Sequence, residues 1–336
     1  MTRNFLGRSF LLAMLALGSR VQGEEKIHVV ATIPDLAEFA QRIGGDLVDV
    51  KGLATGVEDI HSVPMKPNFA VLLNRADLVV LLGLEVEHAF LPGLLEASRN
   101  PKIQRGAPAY IDCSKHVRVL EVPTRIDRAL GEQHPMGNPH YNLDPLAMKE
   151  AARALAEGFG ENYPQHKSVF QSNLKTLLAD LDKNIARWKR EAAALKGKKL
   201  VSYHPDLVYL AARFGMQIVG TIEIRAGVDA TPSHVEQLIE LMQREKVDVV
   251  VRELHYPAGL AETVAQRTGA ALVGLPVMVG GVPGAPARGG VPEIIRSEGG
   301  AATEAKAGGP PTCSYVGLID YDLHALVKAV GEPRKS

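Results

Sequence analysis

The chain has 336 residues, 38 basic against 38 acidic side chains and 46% hydrophobic residues, which suits a globular protein of about two domains. A neutral balance with no basic footprint speaks against a nucleic-acid partner. An aromatic fraction of 5% leaves little to wall a cleft for an organic solute.

Residues 1–23, "MTRNFLGRSFLLAMLALGSRVQG", read as a cleaved signal peptide. Arg3 and Arg8 make a positive start, "FLLAMLALG" is a short apolar run, and Val21 and Gly23 suit a cleavage site. The run falls short of the ~20 residues that span a bilayer. No cysteine stands at the cut, so no lipid anchor is expected there. The mature protein is therefore expected in a bacterial periplasm. Its formal charge is about −3, because the removed segment carries Arg3, Arg8 and Arg20 and no acid. Cys113 and Cys313 are the only thiols. An oxidising compartment permits a disulfide, and the sequence leaves open whether the two meet.

Residues 24–163 form the expected N-terminal lobe. "IHVVATI", "DLVDVKGL", "ADLVVLLG" and "AYIDC" read as four strands, with "PDLAEFAQRIGG" as a helix between the first two. His61 falls in "GVEDIHSVPMKP", the loop after the second strand. His134 and His140 bracket a Pro/Gly/Asn turn in "HPMGNPHYNLDP", just before the helix "PLAMKEAARALAEGF". Residues 164–197 then break the alternation. Apolar residues at Phe170, Leu174, Leu177, Leu181, Ile185, Trp188 and Leu195 make one helical stripe of about 50 Å. Such a helix is expected to join two lobes as a rigid spine.

Residues 198–336 repeat the first pattern. "KKLVSYH", "MQIVGTIE", "VDVVVREL" and "AALVGLP" read as four more strands, alternating with helices that open on Pro or Ser and close on Gly. The fold class is thus α/β: two parallel-sheet lobes joined by one long helix, with a ligand site in the interlobe cleft. Residues 280–313, rich in Gly, Ala and Pro, read as a flexible insertion or flap.

Ligands of open parallel sheets bind beyond the carboxyl ends of the strands. His204 meets that test, since "KKLVSYHP" ends a strand and Pro205 opens the next helix. His61 and His140 occupy comparable loops of the first lobe. Three neutral imidazoles converging from two lobes suit Zn²⁺ at about 2.0–2.1 Å per bond, with Mn²⁺ the second choice because it recruits more carboxylate oxygen. His134 is a candidate capture residue beside the site. Glu253, in "VRELHYP", is a better strand-end candidate than His255. His28, His88, His116, His166, His234 and His324 have no partner pattern and read as structural or exposed.

From about residue 27 onward the chain resembles the periplasmic metal-binding proteins of zinc and manganese ABC transporters, the cluster A-I solute-binding proteins. The stretches that carry the resemblance are "ADLVVLLGLEVE", "NPHYNLDP", "VSYHPDLVYLAARFGM" and "VGLIDYDLHALVKAV". The resemblance implies His61, His140 and His204 as metal ligands, and an ABC permease as partner. Two departures stand out. Ile60 replaces a usual proline before His61, and "VGLPVMVGG" lacks the acid that often supplies a fourth ligand. Water, Glu253 or a glutamate of the flap is left for that position. The His-rich acidic loop of many zinc members is also missing.

The expected function is capture of Zn²⁺ and its delivery to a membrane permease by a monomer that is not an enzyme. The rival reading is a secreted zinc-dependent hydrolase with a three-His site, in which Glu253 or Asp206 would serve as general base. No His-Glu-x-x-His helix supports that rival.

Overall fold

The computed structural model describes residues 25–123, 134–224, 228, 230–282 and 313–331. The expected signal peptide and all of the expected flap except residues 280–282 and 313 lie outside them.

The first sheet holds β1 (Ile27–Ala31), β2 (Val48–Gly52), β3 (Leu78–Leu81) and β4 (Tyr110–Asp112), all parallel, in the order β2-β1-β3-β4. The second holds β5 (Lys199–Ser202), β6 (Gln217–Thr221), β7 (Val249–Glu253) and β8 (Ala271–Leu275), also parallel, in the matching order β6-β5-β7-β8. The expected four-plus-four arrangement is therefore present. Central strands are apolar on both faces because helices cover both: all four residues of β3 are buried.

Around the first sheet lie α1 (Pro34–Gly44), α2 (Pro67–Arg75), α3 (Leu91–Ser98) and α4 (Pro145–Asn162). Around the second lie α6 (Val208–Phe214), α7 (Pro232–Glu245), α8 (Ala258–Thr268) and α9 (Tyr315–Gly331), with α5 (Lys167–Glu191) between the two sets. A proline stands in the first turn of α1, α2, α4 and α7, where its missing N–H costs nothing. Gly215 and Gly269 end α6 and α8 in the left-handed conformation.

α5 is the spine, but shorter than the stripe suggests. It runs over 25 residues, about 37 Å, and single 3₁₀ turns at Pro164–His166 and Ala193–Leu195 flank it. A periodic stripe counts these turns as helix because their apolar residue, Leu195, still packs inward. Phe170, Leu174, Leu177, Leu181 and Trp188 are buried along its inner face. Arg42 of α1 holds Asp180 at 2.9 Å, and Asp320 of α9 accepts from Arg187 at 2.6 Å and Trp188 Nε1 at 2.5 Å. The spine is thus fastened to both lobes. One apolar core runs through the first lobe, α5, α9 and one face of the second sheet; a smaller one lies between the other face and α7 and α8.

The lobes meet along a closed seam. Asn142 Nδ2 donates to Val277 O at 2.8 Å, and Val279 N to Asp35 Oδ2 at 3.1 Å. Arg213 of α6 makes a forked pair with Asp144, the N-cap of α4, at 2.6 and 2.7 Å. Gly56 (φ +97°) comes so close to the facing loop that an added Cβ would sit 2.0 Å from Val279 O. Cys113, just past β4, is a fully buried free thiol, so no bridge joins it to Cys313. Burial pushes its pKa up. Among the described residues, no helix is long and apolar enough to cross a membrane.

Candidate metal centre

Three short chain reversals at the carboxyl ends of the strands bring the site together. After β2, the Asp59 side chain accepts the backbone N–H of His61 at 2.9 Å and opens the 3₁₀ turn Ile60–Ser62. Before α4, Asn138 Oδ1 accepts the N–H of His140 at 3.0 Å in the same local manner. Two residues past β5 comes His204, and Pro205 then starts the 3₁₀ turn Pro205–Leu207 that sets Asp206 beside it.

His61, His140, His204 and Asp206 are all buried, at 7%, 3%, 2% and 2% exposure. His61 Nε2 lies 3.2 Å from His140 Nε2, His140 Nδ1 3.0 Å from Asp206 Oδ1, and His204 Nε2 3.6 Å from Asp206 Oδ1. One ligand atom from each of the four lies within 4.8 Å of every other. Donors around a tetrahedral ion with bonds of about 2.0–2.2 Å stand about 3.3–3.5 Å apart, and the His61 Nε2–His140 Nε2 and His204 Nε2–Asp206 Oδ1 separations are of that order, while the Asp206 contact of His140 uses the other ring nitrogen. His61 Nδ1 and His204 Nε2 are buried without a hydrogen bond, a condition that costs about 1–3 kcal/mol per group unless a ligand meets it, whereas Asp206 Oδ1 has His140 Nδ1 at 3.0 Å.

The surroundings prepare the donors. Glu223, at the end of β6, receives His204 Nδ1 at 2.8 Å, which leaves Nε2 for the cluster. Burial, then the neighbouring imidazoles of His140 and His204, lower the His61 pKa to about 2, so that ring is neutral and ready to donate an electron pair. Burial alone would raise Asp206, but His140 and His204 hold it well below the usual carboxylate range. Burial also opposes charge on His204, yet Asp206 and Glu223 prevail and lift its pKa to about 9.

The carboxylate that converges with the three histidines is that of Asp206. Glu253 ends β7 fully buried, with both carboxyl oxygens lacking a hydrogen bond, but it is not one of the four converging groups. Burial, reinforced by Asp206, raises its pKa. Asp206 joins the converging groups because the turn that Pro205 opens brings its side chain within 3.6 Å of His204 Nε2. His134 also lies outside the converging four. It stacks on His61 at 5.0 Å between ring centroids with a 22° interplanar angle, and its Nε2 is buried without a partner. Burial, then His140 and His204, lower its pKa to about 3. His28, His116 and His234 have partners elsewhere, in Asp49, Glu157 and the Thr221 carbonyl.

Sequence reasoning considered Asp206 only as a base, not as one of the converging groups, and passed over Glu223. Both carried a signal: Asp206 follows a strand-end His-Pro step, and Glu223 is a carboxylate at the carboxyl end of a predicted strand.

Residues 29–329 match the model of the ZnuA family, described as "Zinc-uptake complex component A periplasmic". The chain belongs to this family. Like it are the iron ABC transporter substrate-binding lipoprotein MtsA of Streptococcus pyogenes, 22% identical over 79% of this chain and 84% of the relative, and the zinc-binding lipoprotein AdcA of Streptococcus pneumoniae. AdcA is 21% identical over 77% of this chain, which spans only 51% of AdcA. Among solved structures, that of ZnuA superposes with a TM-score of 0.65 at 25% identity, over 76% of this chain and 93% of that one. One relative is named for binding zinc and the other as the substrate-binding lipoprotein of an iron ABC transporter, so the metals in their names differ.

Proposed function

We propose that the protein captures Zn²⁺ between its lobes with His61, His140, His204 and Asp206 and delivers it, in the periplasm, to the permease of an ABC transporter. One observation carries this reading: three imidazoles and one carboxylate, from both lobes and all buried, offer donor atoms within 4.8 Å of one another. Three nitrogen donors and a single oxygen favour Zn²⁺ over Mn²⁺, whose harder character calls for more carboxylate. Because the donors come from two lobes, the ion stabilises the closed arrangement over an open one. Hydrolysis is the weaker reading. A catalytic zinc keeps a position open for water, and the Asp206 carboxylate among the converging groups supports a filled fourth position instead.

Titration of chelator-stripped protein with Zn²⁺, Mn²⁺ and Fe²⁺ tests this. One equivalent of zinc is expected to bind, most tightly of the three, and His204→Ala should lose it. Preference for Mn²⁺ or Fe²⁺ would overturn the zinc assignment. Zinc-dependent turnover of esters, peptides or phosphates would overturn the transport role.

A further inference from the structure

Asn138 links the His140 turn of the first lobe to the His204–Asp206 turn of the second. Its Oδ1 accepts the N–H of His140 at 3.0 Å, and its Nδ2 donates to Pro205 O at 2.9 Å and to Glu121 Oε2 at 3.1 Å. Pro205 lies between His204 and Asp206, so one planar amide joins the backbone of a first-lobe ligand to the backbone linking two second-lobe ligands. Its own main chain is held as well: its N–H donates to Leu120 O at 2.9 Å, and its carbonyl accepts from Tyr209 OH at 2.9 Å. The side chain is 6% exposed and uses both its acceptor and its donor end.

We infer that Asn138 is a positioning residue that fixes the distance from His140 to the His204–Asp206 pair and thereby sets the geometry and affinity of the metal site. Only an amide of this length serves. An aspartate could accept from His140 but not donate to Pro205 O, and a serine could keep the local turn without crossing the seam. The role presupposes the metal-binding reading above.

The test compares wild type with Asn138→Ser, and with Tyr209→Phe, which cuts the neighbouring hydroxyl tie but leaves the Asn138 amide intact. Zinc affinity is read by chelator competition and donor geometry by the visible spectrum of the Co²⁺-loaded protein. Asn138→Ser is expected to weaken zinc about 10- to 100-fold, as loss of groups that orient ligands does, and to alter the cobalt spectrum. Tyr209→Phe should leave that spectrum as in wild type. Wild-type affinity and spectrum in Asn138→Ser would overturn the inference while leaving metal binding intact, as would an equal spectral change in Tyr209→Phe. Should Asn138→Ser not fold, Asn138→Ala is read in the same way. Failure of both to fold even with zinc would also overturn it, making Asn138 a requirement of the fold. A wild type that binds neither zinc nor cobalt would instead remove the metal-binding reading itself.

Discussion

His204 Nδ1 lies 2.8 Å from Glu223 Oε2, both side chains buried, so the ring that offers Nε2 to the cluster is held from behind by a carboxylate. Such a pair fixes the tautomer and raises the basicity of the ligating nitrogen. Glu223→Gln retains a neutral acceptor and is expected to weaken zinc about tenfold; Glu223→Ala should approach 100-fold. Chelator competition measures both, and unchanged affinity in Glu223→Ala would show that His204 needs no such support.

The two outer histidines should make the metal-free protein respond to pH in opposite directions. His204, raised from 6.5 to about 9, contributes stability that is complete below pH 6.5 and is lost as pH rises through about 9. His61, lowered to about 2, penalises folding below pH 6.5, where the unfolded chain binds a proton that the folded one refuses. Metal-free stability should therefore rise toward pH 6.5 and fall between pH 6.5 and about 9. Zinc must displace the His204 proton, so affinity should climb from neutral pH to about 9, with about one proton released at pH 7. Calorimetric titration in two buffers of different ionisation heat counts that proton; heats independent of buffer would refute it.

Gly56 needs both its positive φ and its missing Cβ, because Val279 O would lie 2.0 Å from any side chain there. Gly56→Ala should destabilise the closed protein by roughly 1–3 kcal/mol from backbone strain alone, with more from the seam it pries apart. Thermal unfolding with and without zinc checks this. The loss should be larger in the zinc-bound form, which depends on closure, and equal losses would place the strain within the first lobe.

Periodicity and turn chemistry made the strands, the lobe pattern and the spine legible because each is a local signal repeated over several residues. β3 reads as "LVVL" whichever partner it finds, and the α5 stripe shows its buried face directly. The helix ends were less legible, since Leu195 is apolar and buried in a 3₁₀ turn as it would be in a helix. His61, His140 and His204 stood out through their places after strands or before helices. Asp206 did not, because a helix-opening Pro-Asp pair is ordinary capping chemistry until the turn is seen to bring the carboxylate within 3.6 Å of His204 Nε2. Asn138 was harder still. Its partner Pro205 lies 67 residues away in the other lobe, a separation that local pattern does not register.

The seam offers a last test in Asp144, which does two things at once. Its Oδ1 caps α4 by accepting the Leu146 N–H at 2.9 Å, and both its oxygens take the Arg213 fork. Arg213→Ala removes only the fork. Arg213 is partly exposed, so solvent screening keeps that loss to about 1 kcal/mol despite the good geometry. Asp144→Ala removes fork and cap together and should cost about 1 kcal/mol more. In the Asp144→Ala background, Arg213→Ala should then change little, and the double-mutant cycle isolates the fork as the coupling between the two. Urea unfolding of the four proteins measures it. A coupling near zero would mean that the forked pair adds nothing to closure, and that the lobes are held by α5 and the apolar core they share.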